Sequence, residues 1–306
     1  MNMCKIYMTD YIKQHGNPMT FSVNGQSWVI LSDIEKRIKE KIEKIGKPLK
    51  DWDINIYRGI LTGCNEAFII DKHKRDELIN KDKKSAEIIR PILRGRDIKR
   101  YGYEFAELYI IATFPSRRYN IDDFPAVRDY LLKYGKEKLE QSGKLGARKK
   151  TSHKWFETQD PINYWDDFSK QKITWGNLNL TAAFTLSPAD IFINAPATMI
   201  VPGDKYLLGV LNSRLSDYFI RNLGVTRNGG YFEYKPMFVS QMPVFVPSPD
   251  EKKNIELLVT EIISKKITHD DYSDIDIQLN NSVCKQYMLT NDEIDFINNK
   301  MDLSHY

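Results

Sequence analysis

Glu233-Tyr234-Lys235 and Glu251-Lys252-Lys253 are the two places where this chain could begin nuclease chemistry. A metal-dependent nuclease needs Glu-x-Lys and a distant acid, so that carboxylates hold Mg²⁺ and a lysine orients water. Asp217 could be that acid, which gives an Asp217, Glu233, Lys235 set. A chain with 45 Lys plus Arg and 41 Asp plus Glu meets the short pattern by chance about once or twice. Surface residues at strand and helix ends are the simpler reading. Other catalytic signatures are missing: GxGxxG, GxxxxGK[ST] and GxSxG do not occur. His15, His73, His153, His269 and His305 never pair at metal-ligand spacing, and no cysteine lies near one. Asp160-Pro161-Ile162-Asn163-Tyr164 lacks the Pro-Pro-aromatic core used to methylate adenine. No catalytic residue and no metal ligand is assigned.

What remains suits binding. The 14 Phe, 5 Trp and 17 Tyr often sit beside basic or amide residues, as in Arg117-Arg118-Tyr119, Lys154-Trp155-Phe156 and Trp175-Gly176-Asn177. Trp155, Trp165 and Trp175 are more often core residues than stacking platforms. The formal charge of +4 is an average of unlike parts: residues 267–306 hold −6 and residues 1–266 hold +10. Seven bases against two acids between Lys136 and Lys154 make a local +5. Such asymmetry fits a polyanion-binding body with an acidic appendage, or simply a mildly basic protein with an acidic tail.

The elements that must position these residues follow from periodicity and punctuation. Ser32 and Glu35 form a capping box ahead of Ile34, Ile38, Ile42 and Ile45, and Gly46 with Pro48 supplies the stop. Short strands are expected around 54–57, 68–70, 108–114, 172–175, 183–186, 191–194 and 199–201. Helices are expected over 74–90 (one or two, ended by Pro91), 124–141, 204–222, 250–266, 273–288 and 291–301. Arg227 to Gly230 reads as a turn, and 236–249 as a crossing connection. Helices without a strict βαβ rhythm indicate an α+β fold: a mixed, short-stranded β-sheet body with surrounding helices. Residues 1–50 form an N-terminal connector with its helix, 51–247 the body and 248–306 an acidic helical C-terminal tail. The three cysteines, Cys4, Cys64 and Cys284, are far apart and no CxxC occurs, so a reducing cytoplasm is the expected location. No apolar run is long enough for a membrane span.

Several stretches also resemble, in order, one known module. They are Tyr57-Arg58-Gly59-Ile60-Leu61-Thr62-Gly63-Cys64-Asn65-Glu66-Ala67-Phe68, then Ile92-Leu93-Arg94-Gly95-Arg96-Asp97-Ile98 with Tyr101. Lys150-Thr151, Trp155-Phe156-Glu157, Gln159-Asp160, Tyr164-Trp165, Phe168, Lys172-Ile173 and Leu208 to Ser213 continue the match. Together they resemble the TaqI-like C-terminal specificity domain of adenine-specific DNA methyltransferases and Type IIG restriction-modification enzymes, over about residues 50–247. The resemblance implies a module that recognises a short sequence on double-stranded DNA within a bacterial restriction-modification system. In such enzymes a separate methyltransferase domain, on the same polypeptide or a partner subunit, binds S-adenosylmethionine and flips the adenine. Mg²⁺ enters only if the enzyme also cleaves, and no cofactor is expected in this chain. A C-terminal part of a longer polypeptide is expected, with a stand-alone specificity subunit that also docks a partner as the alternative.

On that reading Arg117, Arg118, Asn177, Asn179, Arg227 and Asn228 are the candidate base readers. Arg addresses guanine O6/N7 and Asn addresses adenine N6/N7. Arg148, Lys149, Lys150 and Lys154 are the candidate phosphate anchors. Arg94 and Arg96 fit either a turn held by an Arg–Asp pair or a DNA contact.

Overall fold

A computed structural model describes residues 31–224 and 226–301. The polar start Met1–Asp10, Cys4, His15, His305 and most of the expected 1–50 connector lie outside the described residues. Helix α1 (Asp33–Ile45) begins where the capping box requires: the Ser32 N–H donates to Glu35 Oε2 at 2.8 Å while Ser32 Oγ accepts from the Glu35 N–H at 3.4 Å. Ile38 and Ile42 are fully buried. Gly46 ends the helix because the chain passes against Pro243, whose carbonyl carbon would lie 2.6 Å from any Cβ.

β1 (Lys47–Pro48) and β2 (Asn55–Arg58) lead to α2 (Asn65–Phe68), β3 (Ile69–Asp71) and α3 (Lys72–Lys81). β4 (Ile89–Leu93), β5 (Ile98–Lys99), β6 (Gly102–Tyr103) and β7 (Leu108–Ile111) follow, then α4 (Pro125–Leu132) and α5 (Lys136–Leu139). Beyond a long loop come β8 (Lys172–Trp175), β9 (Leu178–Asn179), β10 (Phe184–Ser187), β11 (Phe192–Ile193) and β12 (Thr198–Val201). α6 (Lys205–Asn212), α7 (Arg214–Leu223), β13 (Phe232–Glu233), α8 (Pro236–Val239) and β14 (Pro243–Val244) precede α9 (Pro249–Thr268), α10 (Ser273–Gln286) and α11 (Asn291–Lys300).

The fold is α+β, with two four-stranded sheets. One runs β10-β8-β12-β2 and is antiparallel; the other runs β11-β4-β7-β3, with β11 parallel to β4. The chain passes between them at Gly59, which a Cβ would place 2.7 Å from the Asn194 carbonyl carbon. Ile60 then bridges to Asn194 beside β11. Arg58 and the Leu61 N–H both donate to Asp160, fastening this crossing to the long loop.

Several helices are shorter than their patterns suggest, for local reasons. The helix expected over 204–222 is two, because Ser213 is extended and its Oγ accepts from the Ser216 N–H at 3.2 Å, capping α7. The one expected over 124–141 breaks at Gly135, whose φ is +88°. Pro91, expected as a helix stop, lies inside β4. Up to Pro91 the strand pairs with β7, and from Ile92 it pairs with β11, so the missing N–H falls where neighbours change.

The acidic C-terminal segment shares the largest core. Ile255, Val259, Leu279, Val283 and Ile297 pack with α1, α6, α7 and the underside of β8 and β10. Two of its acids are used internally: Asp276 pairs with Arg100 at 2.7 Å and the buried Glu293 with Lys41 at 2.7 Å. Among the described residues no helix is long and apolar enough to cross a membrane.

Lys172 of β8 is 0% exposed. Its ammonium donates to the carbonyls of Phe168 (2.9 Å) and Pro188 (2.8 Å), and burial lowers its pKa to about 8. An unfolded lysine holds its proton to about pH 10.4. Between these values the unfolded chain binds more protons, so the contribution of Lys172 to stability rises with pH. Urea midpoints should show the wild type gaining about 2 kcal/mol on Lys172→Met between pH 7 and pH 10. A constant gap would mean the ammonium is hydrated.

Candidate nucleic-acid interface

A groove of about 1000 Å³ opens between the turn that follows β4 and the segment 176–180. Arg94, Arg96 and Lys99 line it on the first side, Asn177 and Asn179 on the second, and Tyr231 also borders it. Arg94 answers the question left open by its sequence. Its Nε and Nη2 donate to Asp97 at 3.0 and 2.7 Å, and the Arg94 N–H donates to the same carboxylate at 2.8 Å, closing a tight turn. That partner holds the Arg94 pKa above its ordinary value. Arg96, two residues on, is exposed and has no ion-pair partner among the described residues. The turn thus presents Arg96 while spending Arg94.

Asn177 and Asn179 are oriented rather than free. Asn177 Oδ1 accepts from Thr198 Oγ1 at 2.9 Å, and Asn179 Nδ2 donates to the Gly176 carbonyl at 2.7 Å. Each amide keeps at least one donor hydrogen and one lone pair, enough for the two contacts adenine offers. The segment is itself held in place. Trp175 Nε1 donates to the Tyr234 carbonyl at 2.6 Å, the Tyr234 N–H to the Asn177 carbonyl at 2.8 Å, and Arg221 Nη2 to the Leu180 carbonyl at 2.5 Å. Beneath it Asp217 receives the Arg221 Nε at 2.8 Å, the Arg221 Nη2 at 3.1 Å and the Tyr234 hydroxyl.

The remaining sequence candidates are elsewhere. Arg117 and Arg118 are exposed in the turn after β7, with the Arg117 guanidinium 5.0 Å from the Trp165 ring, and neither lines the groove. Arg227 and Asn228 are exposed in the turn that delivers Tyr231. Arg227 Nε donates to the buried Glu233 at 2.6 Å, so its guanidinium is partly engaged. Lys149, Lys150 and Lys154 are exposed on the loop 140–158. Arg148 corrects the sequence reading. It is 5% exposed, and its guanidinium donates to the carbonyls of Leu139 (2.8 Å), Thr62 (2.9 Å), Glu157 (2.8 Å) and Trp155 (2.7 Å). A group so committed cannot anchor a phosphate; it pins the loop that carries the three lysines. Because Thr62 leads into α2, whose Asn65 and Glu66 line the groove, the basic loop packs directly behind one groove wall.

Asp217, Glu233 and Lys235 do not assemble as a metal-holding set. Asp217 faces Arg221 and Tyr234, while Glu233 faces Arg227 and Lys235, whose hydrogen bonds hold its carboxyl below the ordinary range. Among the described residues no three His, Cys, Asp or Glu side chains converge to hold a metal ion.

The contribution of Leu178, Leu180 and Tyr231 to this groove was not visible in the sequence, where they read as ordinary apolar residues. The Arg221–Asp217 pair could have been found, because the i, i+4 spacing on a helix brings opposite charges together.

No curated protein matches the chain. Among solved structures it is similar to the Type IIL restriction-modification enzyme MmeI, determined in complex with DNA. The TM-score is 0.60 at 14% identity, over 82% of this chain and 35% of that one. A second similar structure, the Type IIG restriction endonuclease BpuSI, has a TM-score of 0.48 at 12% identity over 84% of this chain and 34% of that one. The chain thus spans about a third of the length of each. The family model of the TaqI-like C-terminal specificity domain matches residues 90–244, a span that contains the Arg94–Asp97 turn, the basic loop, both groove asparagines and the Asp217–Arg221–Tyr234 clamp. By that match, over half of its length, the chain belongs to the TaqI-like C-terminal specificity domain family.

Proposed function

We propose that this chain recognises a short sequence on double-stranded DNA and so positions a separate adenine methyltransferase of a restriction-modification enzyme. The observation that carries the reading is the groove of a specificity-family chain in which Arg96, without an ion-pair partner among the described residues, lies across from two pre-oriented amides. Arginine for guanine and asparagine for adenine are the side chains that read base edges bidentately. Phosphate contacts come from Lys149, Lys150 and Lys154 on the loop behind the wall, which fix register without reading sequence. Methylation, and cleavage where the enzyme cuts, belong to the other domain. S-adenosylmethionine, and Mg²⁺ where the enzyme cuts, would act in that other domain.

The test is selection from a randomised duplex pool with the full chain, followed by titration of the selected duplex at several salt concentrations. With one phosphate neutralised by each of Lys149, Lys150 and Lys154, log K should fall against log[salt] with a slope of about −3. Binding that enriches no sequence, or that ignores salt, would count against this function.

A further inference from the structure

Leu178, Leu180 and Tyr231 are 52, 49 and 43% exposed, and all three border the groove. Single exposed apolar residues need no explanation, but three around one groove do. Leu178 lies on β9, with Leu180 directly after it, and Tyr231 immediately precedes β13. The two strands form an antiparallel ribbon through Phe232↔Asn179 and Glu233↔Leu178. The turn that leads into β13 is closed by the Arg227 N–H donating to the Tyr231 carbonyl at 2.7 Å, with Gly229 and Gly230 at φ +80° and +76°. Outside the groove the ribbon rests on the clamp of Asp217, Arg221 and Tyr234, and the Arg221 guanidinium lies 4.1 Å from the Phe232 ring. A braced two-stranded ribbon is one of the two elements that a duplex major groove admits.

The neighbours of these residues narrow the occupant. Arg96 calls for negative charge, Asn177 and Asn179 for hydrogen-bonding edges, and the aliphatic side chains for an apolar group on the same surface. Duplex DNA presents all three in its major groove, where the apolar group is the thymine C5-methyl. On the strength of the proposed function, we infer that the β9–β13 ribbon enters the major groove and that Leu178, Leu180 and Tyr231 read thymine methyl groups. This adds to arginine and asparagine readout an apolar component that specifies A·T pairs.

The experiment uses the full chain and the duplex it selects from a randomised pool. Each thymine of that duplex is replaced in turn by uracil, which removes only the methyl. Wild type should bind about fourfold more weakly for each contacted methyl removed, the worth of one buried methyl group. Leu178→Ser with Leu180→Ser should weaken binding to the thymine duplex and cut its preference over the uracil duplex to what Tyr231 alone supplies. Leu257→Ser, on an exposed side chain of α9 away from both the groove and the basic loop, should change neither. A selected sequence without A·T pairs, or indifference of the wild type to uracil, would overturn the ribbon's role and leave DNA recognition standing. The same holds if the double variant keeps the wild-type preference. Failure to select any duplex would overturn both.

Discussion

Replacing Arg148 with methionine should destabilise the protein by about 3–5 kcal/mol while leaving the salt slope of duplex binding, measured on the folded fraction, unchanged. The guanidinium satisfies four main-chain carbonyls at 2.7–2.9 Å from Thr62, Leu139, Trp155 and Glu157. Methionine fills similar space but donates nothing, so these oxygens lose their charged donor, and a buried unsatisfied acceptor costs about 1–3 kcal/mol. Burial lowers the Arg148 pKa to about 10, well clear of neutral pH, so the side chain works as a charged fork. Lysine should restore little, since one ammonium cannot reproduce the planar set of five donors. Denaturant midpoints and salt titrations on the same variant separate the roles. A slope reduced by one unit with stability intact would return Arg148 to the phosphate backbone.

That outcome bears on why composition located the basic loop but not its division of labour. Arg148, Lys149 and Lys150 are adjacent and alike in charge, and only the packing of the loop against α2 turns the first inward. Features set by neighbouring residues were readable. The capping box of α1 and the Arg94–Asp97 turn each depend on residues three apart. Pro91 was misread because its tolerance in β4 depends on where two other strands begin and end. The groove is non-local in the same way: Arg96, Asn177 and Tyr231 meet only after the sheets form. Resemblance in ordered motifs reached further than periodicity, because Gly59 and Asp160 fix the crossing between sheets by close approach and by hydrogen bonds that no local pattern encodes.

Asp217→Ala should cost about 3–5 kcal/mol, the usual effect of leaving one member of a buried ion pair without its partner. Both side chains of the pair are under a tenth exposed. Desolvation pushes the Asp217 carboxyl up, while Arg221 and the Tyr234 hydroxyl oppose that shift by holding the charged form. Arg221 in turn grips the Leu180 carbonyl and Tyr234 carries the Asn177 carbonyl. Loss of Asp217 therefore reaches the groove wall as well as the core. Selected-duplex affinity should fall even where the variant is fully folded, and it should fall more than for an exposed lysine of the basic loop. The double replacement Asp217→Leu with Arg221→Met removes both charges and should be more stable than Asp217→Ala by at least about 1 kcal/mol. Its groove should still bind poorly, because methionine cannot hold Leu180. A nuclease role for Asp217 predicts the opposite pattern: stability close to wild type, DNA affinity retained and Mg²⁺-dependent cleavage lost. Denaturation, binding and plasmid cleavage measured on the two variants decide between a clamp that shapes the reading surface and an acid that performs chemistry.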